Sequence, residues 1–188
     1  NGGDLLTRIQ NASSVLAHTT GKGDDFAKLQ VDHIKDNSKF RSLSIVRTGD
    51  SIWIFGTEVY RNSPVYLARA TPQTLADRDR WEIYESLDPL DGHMNVAEDE
   101  QTAGVIANES CVGELSVRKH PTRELYFMTY NCGPDGNHSI MLRTANHPAG
   151  PWSAAVPIFS ASVADFLVHR GDSVGGPDDQ TGTDGDIY

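Results

Sequence analysis

Two carboxylates lie in one short segment of the chain and could act together on a glycosidic bond. The segment 108–114 carries Glu109 and Glu114, with Gly113 immediately before the second. Glycosidic cleavage requires a carboxylic acid beside a second carboxylate, about 5–5.5 Å apart for retention of configuration and about 6.5–9.5 Å apart for inversion. A glycine next to Glu114 would let a ligand or a neighbouring backbone approach closely. The residue types therefore predict Glu114 and Glu109 as candidate catalytic residues.

Basic side chains supply candidates for binding sugar hydroxyls or for balancing charge near those carboxylates. The predicted substrate-binding residues are Arg47, Arg118 and His120. A structural role is the alternative for Glu114, which could form an ion pair with Arg118 or Arg143 instead of acting on a substrate. Arg143 has a counterpart in Arg69, and their recurrence at equivalent positions favours an architectural role for both.

The elements that must position these side chains form a unit that occurs twice. Residues 42–84 align with residues 114–156. In each copy three apolar runs are separated by polar turns, the third run contains an arginine, and a tryptophan closes the unit. The closing residues, Trp81 and Trp152, are 71 positions apart. Short β-rich runs bounded by Gly, Pro, Asn and Asp are typical of antiparallel strands. Four such strands per repeat describe a blade of a β-propeller, and a β-sandwich with coincidental similarity is the alternative.

The predicted organisation follows from that repeat. It comprises a partial blade and connector over 1–41, a blade over 42–85, a connector over 86–110, a blade over 111–158, and the start of another blade with a Gly/Asp-rich tail over 159–188. At this repeat length the chain supplies two to three blades, whereas propellers close with about four to eight. An open stack of blades would expose apolar sheet faces. We therefore expect a second chain or a missing segment to complete the propeller.

The two cysteines flank the predicted first hairpin of the second unit. If paired residues sum to about 243, Cys111 faces Cys132 at a cross-strand distance that a disulfide can span. Two buried free thiols are the alternative. Asn-x-Ser sequons begin at Asn11, Asn108 and Asn137, which makes these asparagines candidate glycosylation sites. Together the sequons and the bridge favour a secreted protein in an oxidising compartment.

Composition argues against several other classes of function. The chain has 188 residues, 16 Lys and Arg against 26 Asp and Glu, and a formal net charge of −10, so nucleic acid is not expected as a partner. No apolar run approaches about 18 residues, so no membrane span is expected. The sequence has no phosphate-binding glycine loop, no His-Glu-x-x-His and no Gly-x-Ser-x-Gly. It also lacks a Cys-x-x-Cys for zinc, so we expect no metal and no cofactor.

Five short motifs, taken in order and spacing, resemble one known family. They are IFGT at 54–57, YLAR at 66–69, GELSVR at 113–118, LRTA at 142–145 and GPWS at 150–153. Over roughly residues 40–160 the chain resembles the domain-of-unknown-function family 4185. The resemblance implies a five-bladed β-propeller related in shape to arabinanase-type glycoside hydrolases. Some members of that family are grouped as endo-acting D-arabinanases, in glycoside hydrolase family 183.

The chain also departs from the pattern of that family. The family's proposed catalytic aspartates lie in the first blade, on Thr-Asp and Phe-Gly-Asp-Thr-Phe segments, whereas Phe55-Gly56-Thr57 lacks the aspartate. The resemblance therefore implies that the acid and base lie outside this chain. Glu114 then belongs to the wall of the axial funnel, the central opening lined by the innermost strands. The expected function is a secreted carbohydrate-active propeller, part of a glycoside hydrolase acting on a polysaccharide. The alternatives are a non-catalytic, lectin-like glycan-binding propeller and a structural or interaction propeller.

Overall fold

The chain folds into β-strands joined by short connections. The computed structural model describes residues 17–19, 26–28, 38–59, 61–132 and 137–162, the first two ranges as backbone alone. Strands β1 and β2 form a separate antiparallel hairpin of Ala17–Thr19 and Phe26–Lys28. Within the described residues the one helical segment is a single 3-10 turn, Arg78–Arg80, which is far too short to cross a membrane.

The first sheet is a four-stranded antiparallel meander with two short additions. Its strands are β3 (Ser42–Thr48), β4 (Ser51–Thr57), β5 (Val65–Ala70) and β6 (Glu82–Leu87). The segment predicted as a connector, 86–110, folds back onto this sheet. It adds β7 (Met94–Val96) beside β6 and β8 (Val105–Ala107) beside β5.

The second sheet repeats the same meander. Its strands are β9 (Gly113–Lys119), β10 (Tyr126–Cys132), β11 (Asn137–Ala145) and β12 (Val156–Ser162), hydrogen-bonded in chain order. The closing tryptophans of the two units occupy matching places, each just before the fourth strand. The indole of Trp81 donates to the carbonyl of Leu75 at 3.0 Å, and that of Trp152 donates to the carbonyl of Pro148 at 3.1 Å. The internal repeat is therefore a repeat of structure.

Local sequence explains why these strands form. β4 and β5 are rich in β-branched and aromatic residues, which suit a pleated surface, and nearly every residue in them is buried. The turn between β3 and β4 has two residues and begins with Gly49, whose φ is 59°, a conformation that glycine adopts without a steric penalty.

The two sheets pack face to face around a shared core. Trp53, Phe55 and Leu67 of the first sheet contact a cluster from the second sheet that includes Val117 and Met128. The first strands of the two sheets lie side by side. The amide of Val117 donates to Ser44 Oγ at 2.8 Å, and the hydroxyl of Thr48, the last residue of β3, lies 3.2 Å from that of Tyr126, the first residue of β10. The sheets are thus adjacent along their innermost strands.

Burial on the remaining faces distinguishes a propeller from a sandwich. The other face of the first sheet is also buried, beneath a second cluster that includes Phe40, Ile54 and Trp81. A two-sheet sandwich would leave that face in solvent. The outer strand of the second sheet, β12, instead exposes Ile158 and Phe159, at 55% and 56% of their surface. The prediction of an all-β propeller, of which this chain supplies two to three blades, is confirmed, and the two sheets are successive blades.

Candidate functional site

Glu114 lies at the beginning of β9, the innermost strand of the second blade. Its side chain is 43% exposed, and both of its carboxylate oxygens accept hydrogen bonds. Nη2 of Arg61 donates to Oε1 at 2.9 Å, and Nδ2 of Asn131 donates to Oε2 at 2.8 Å. Arg61 comes from the connection between β4 and β5 and forms an ion pair with Glu114. The partners considered as the structural alternative bond elsewhere: Arg118 donates to the carbonyl of Val117, and Arg143 donates to Glu109.

A β-bulge accounts for the direction in which Glu114 points. Ser116 pairs with Thr129, and the next pair joins Gly113 to Asn131. Between these two pairs β9 advances by three residues and β10 by two, so β9 has one extra residue. The extra residue in β9 leaves Glu114 with a φ of 39°. This left-handed conformation at a bulge is one that glycine usually occupies. A glutamate held there costs free energy, and such costs concentrate at functional sites.

Arg61 also has a left-handed backbone, with a φ of 54°. Its side chain crosses directly over Gly113, where an added Cβ would lie 2.6 Å from Arg61 Cγ and 3.2 Å from Nε. Gly113 is therefore required for the approach of Arg61 to Glu114. The close approach predicted at this glycine is made by a neighbouring side chain.

The Cys111–Cys132 disulfide predicted from the hairpin is present, with 5.1 Å between the two Cα atoms. It joins the segment that enters β9 to the last residue of β10. The amide of Val112, next to Cys111, donates to the carbonyl of Ser63 at 3.3 Å. The entry to β9 is thus tied both to its own hairpin and to the connection that carries Arg61.

Glu109 lies in the connection between β8 and β9. One oxygen of its carboxylate accepts a hydrogen bond from Arg143, and Nε of Arg143 donates to the hydroxyl of Tyr130 at 3.1 Å. The side chains of Glu109 and Arg143 are only 22% and 14% exposed. Burial raises the pKa of Tyr130, and the hydrogen bond from Arg143 opposes that rise. The two predicted catalytic carboxylates therefore pair with different arginines, and the hydrogen bond from Arg143 to Glu109 fastens the connection 108–112 to the second blade.

The predicted substrate-binding residues lie at the other end of the inner strands. Arg118 is four residues beyond Glu114 in β9, about 13 Å away at the rise of a β-strand, and its Nη1 donates to the carbonyl of Val117. Arg47 caps its own hairpin by donating to the carbonyl of Gly49 at 3.1 Å. His120 follows β9, and its Nδ1 accepts the amide of Thr122 at 3.2 Å. The sequence prediction thus combined residues from opposite ends of the inner strands of the two sheets.

A cavity of about 360 Å³ near the end of β5 is lined by Arg69, Arg80 and several hydroxyls, but Arg69 is paired with Glu82 at 2.6 Å and the hydroxyls of Thr71 and Thr74 contact each other. Among the described residues no group of three or more potential metal ligands occurs. This cavity lies at the end of the blade away from Glu114.

The three sequons fall in different parts of the chain. Asn108 is exposed, in the connection between β8 and β9. Asn137 is the first residue of β11. Asn11 lies outside the described residues.

Comparison with known proteins identifies the family. A family model described as "Domain of unknown function (DUF4185)" matches residues 10–171. The chain belongs to this family. No curated protein gives a significant match. The family resemblance that the motifs carried is therefore confirmed over most of the chain.

Solved structures are also similar to parts of this chain. The crystal structure of a putative hydrolase from Bacteroides ovatus is 23% identical, with a TM-score of 0.51, and the match covers 79% of this chain and 37% of that one. The glycoside hydrolase family 43 protein BlXynB from Bacillus licheniformis is 14% identical, with a TM-score of 0.42 over 65% of this chain and 23% of that one. An α-L-arabinanase mutant from Cellvibrio cellulosa is 12% identical, with a TM-score of 0.38 over 63% and 34%. This chain spans little more than a third of the first of these proteins.

Proposed function

We propose that the chain is part of a secreted glycoside hydrolase that cuts a furanoside-containing polysaccharide such as D-arabinan, and that Glu114 contacts the glycan at the funnel. The observation that carries the proposal is the glutamate held in a left-handed bulge conformation on the innermost strand. Glycine would relieve that conformation, so the presence of a glutamate there supports a use for its carboxylate. The family resemblance supports the substrate class.

The arrangement around Glu114 suits a carboxylate that accepts hydrogen bonds. Arg61 and Asn131 hold it from two sides and leave 43% of its surface open to a ligand. In this account it orients a sugar hydroxyl or serves as one member of the carboxylate pair that glycosidic cleavage needs. The other member comes from a further blade, which agrees with the chain covering 37% of its structural neighbour.

Secretion is supported by the disulfide and by the sequons. Structural disulfides persist in oxidising compartments, and Cys111 and Cys132 are bonded to each other. Asn108 is exposed and accessible to a glycosylating enzyme. Intact mass of the secreted protein under denaturing, non-reducing conditions tests this part, because an attached glycan adds mass and each disulfide removes two hydrogens.

A lectin-like propeller that binds glycans without cutting them is the second candidate. The specific observation in its favour is the segment Phe55-Gly56-Thr57, which lacks the aspartate found in the family's first-blade pattern. In such a protein the carboxylate of Glu114 would bind sugar hydroxyls and no acid pair would be present.

Release of reducing ends from D-arabinan by the complete protein tests the proposal. Glu114→Gln keeps the shape and the hydrogen-bond acceptor but removes the charge, and we expect it to lower hydrolysis by about 10²-fold or more. Glu82→Gln is the matched control, because Glu82 forms an equally exposed arginine pair with Arg69 in a regular strand. Binding of D-arabinan without hydrolysis by the wild type would favour the lectin-like protein. Equal hydrolysis by all three proteins would overturn the role given to Glu114.

A further inference from the structure

We infer that the Cys111–Cys132 disulfide is a positioning element for the Glu114 carboxylate, setting its geometry against Asn131. This inference deepens the proposed function and rests on it for the activity readout alone. The bridge ends beside the two groups concerned: Cys132 directly follows Asn131, and Cys111 lies three residues before Glu114.

The hydrogen bonds between β9 and β10 are not sufficient to fix Glu114 against Asn131. Between β9 and β10 the pairing is continuous from Lys119 to Ser116, is interrupted at the bulge, and resumes with the single pair Gly113 and Asn131. A bulge disrupts the ladder locally, so a single pair beyond it restrains the strands only weakly. The disulfide crosses the hairpin immediately past this last pair, so it closes the bulge from its open end.

The polar contacts of Glu114 are also weak restraints. The side chains of Arg61 and Glu114 are 40% and 43% exposed, and exposed ion pairs contribute little to stability. The left-handed backbone at both residues acts against the arrangement. A covalent link next to Glu114 limits the number of other backbone conformations that the bulge could adopt. The position of the Glu114 carboxylate therefore depends on the bridge, in addition to any contribution of the bridge to the stability of the fold.

The test replaces both cysteines in the complete protein and reads the site directly. Cys111→Ala with Cys132→Ala removes the bridge without leaving a thiol. Val117→Ala is the matched control, because Val117 is fully buried in the same strand and its loss destabilises the blade away from Glu114. The two readouts are the NMR resonance of the Asn131 side-chain amide, assigned with Asn131→Ala, and kcat and KM on D-arabinan.

Without the bridge we expect the Asn131 amide to move to the shift of a solvent-exposed asparagine, and kcat to fall by about tenfold through misplacement of the carboxylate. In Val117→Ala the amide shift and kcat stay at the wild-type values at temperatures where the protein is folded. An unmoved amide and unchanged kcat in the cysteine variant would show that the bridge contributes stability alone.

Two provisions keep the test decisive. If the double variant does not fold, the same amide is followed in the folded wild type while tris(2-carboxyethyl)phosphine reduces the bridge to two thiols and becomes the phosphine oxide, with its oxygen taken from water. If the wild type does not cut D-arabinan, the proposed function fails, and the amide resonance still decides the positioning role.

Discussion

Arg61 and Glu114 are joined by an ion pair of 2.9 Å, and both have left-handed backbones, with φ values of 54° and 39°. Among the described residues no other non-glycine residue has a positive φ. The two strained residues lie in different blades, 53 positions apart, and are in direct contact. Backbone strain of this kind clusters at functional sites, and its concentration in one interacting pair is the basis of our proposal that Glu114 contacts the ligand.

The backbone strain at Arg61 predicts an unusual order of stabilities. Arg61→Gly relieves the left-handed conformation and Arg61→Ala does not, so the alanine variant should be less stable by about 1 kcal/mol. Arg69 in β5 is the control, because in a regular strand glycine is the worse replacement by about 0.5–1 kcal/mol. Urea denaturation measures both differences. The same order of alanine and glycine at the two sites would contradict the strain.

Gly113→Ala tests the contact between Gly113 and the side chain of Arg61. The new Cβ would lie 2.6 Å from Arg61 Cγ, so the flexible arginine must move off Glu114. We expect activity or glycan binding to fall as far as it does in Arg61→Met, with a small change in stability. Gly49→Ala is the control, since nothing lies within 4 Å of its added Cβ and only backbone strain is introduced. Normal function in Gly113→Ala would show that Arg61 is not needed at the site.

The ion pair of Glu109 and Arg143 should have a structural role and contribute more to the free energy of unfolding than an exposed ion pair does. Removing one partner leaves the other charge largely buried without its ion-pair partner, so we expect Glu109→Gln or Arg143→Met to cost about 2–3 kcal/mol. The Arg69 and Glu82 pair, with side chains 37% and 49% exposed, should contribute less than about 1 kcal/mol. Double-mutant cycles in urea measure both couplings. Loss of hydrolysis in a stable Glu109→Gln variant would instead support the catalytic role predicted from the sequence.

His147 should make stability depend on mild acid. Burial, and to a smaller extent the charge of Arg69, lowers the pKa of His147, whose ring meets the edge of Trp53 at 5.2 Å between centroids. The unfolded chain then binds a proton first as the pH falls through about 6.5. Stability is therefore full above that pH and is lost on the way down towards the lower folded pKa. Thermal unfolding from pH 8 to pH 5 should decline less steeply in His147→Asn, and parallel curves would refute the assignment.

The repeat of strands was predictable because its signals are local. Apolar runs, turn residues and the closing tryptophans each depend on a few neighbouring positions, and the two meanders follow them closely. The disulfide was also predicted, although the hairpin register was not. Paired residues sum to 245 through most of the hairpin, as in Lys119 with Tyr126. The bulge reduces that sum to 244 at Gly113 with Asn131, which brings the cysteines into reach.

The arrangement of the site was beyond a sequence argument. Arg61 comes from another blade and no spacing rule connects it to Glu114, so the sequence offered the nearer arginines as partners. Which end of a strand a side chain occupies depends on the whole sheet, so Arg47 and Arg118 were grouped with a carboxylate at the opposite end. The left-handed bulge, which sets the position of Glu114, could not be recognised from the sequence. Gly113, next to Glu114, was the one residue in the sequence that indicated an irregularity there.

The most direct test of the account is a crystal structure of the complete protein carrying Glu114→Gln, soaked with a D-arabinan oligosaccharide. We predict a sugar hydroxyl within about 3 Å of the residue 114 side chain, at hydrogen-bonding distance. Density for the oligosaccharide at the opposite end of the inner strands, beside Arg118 and His120, with the side chain at 114 still in contact only with protein, would contradict the central claim.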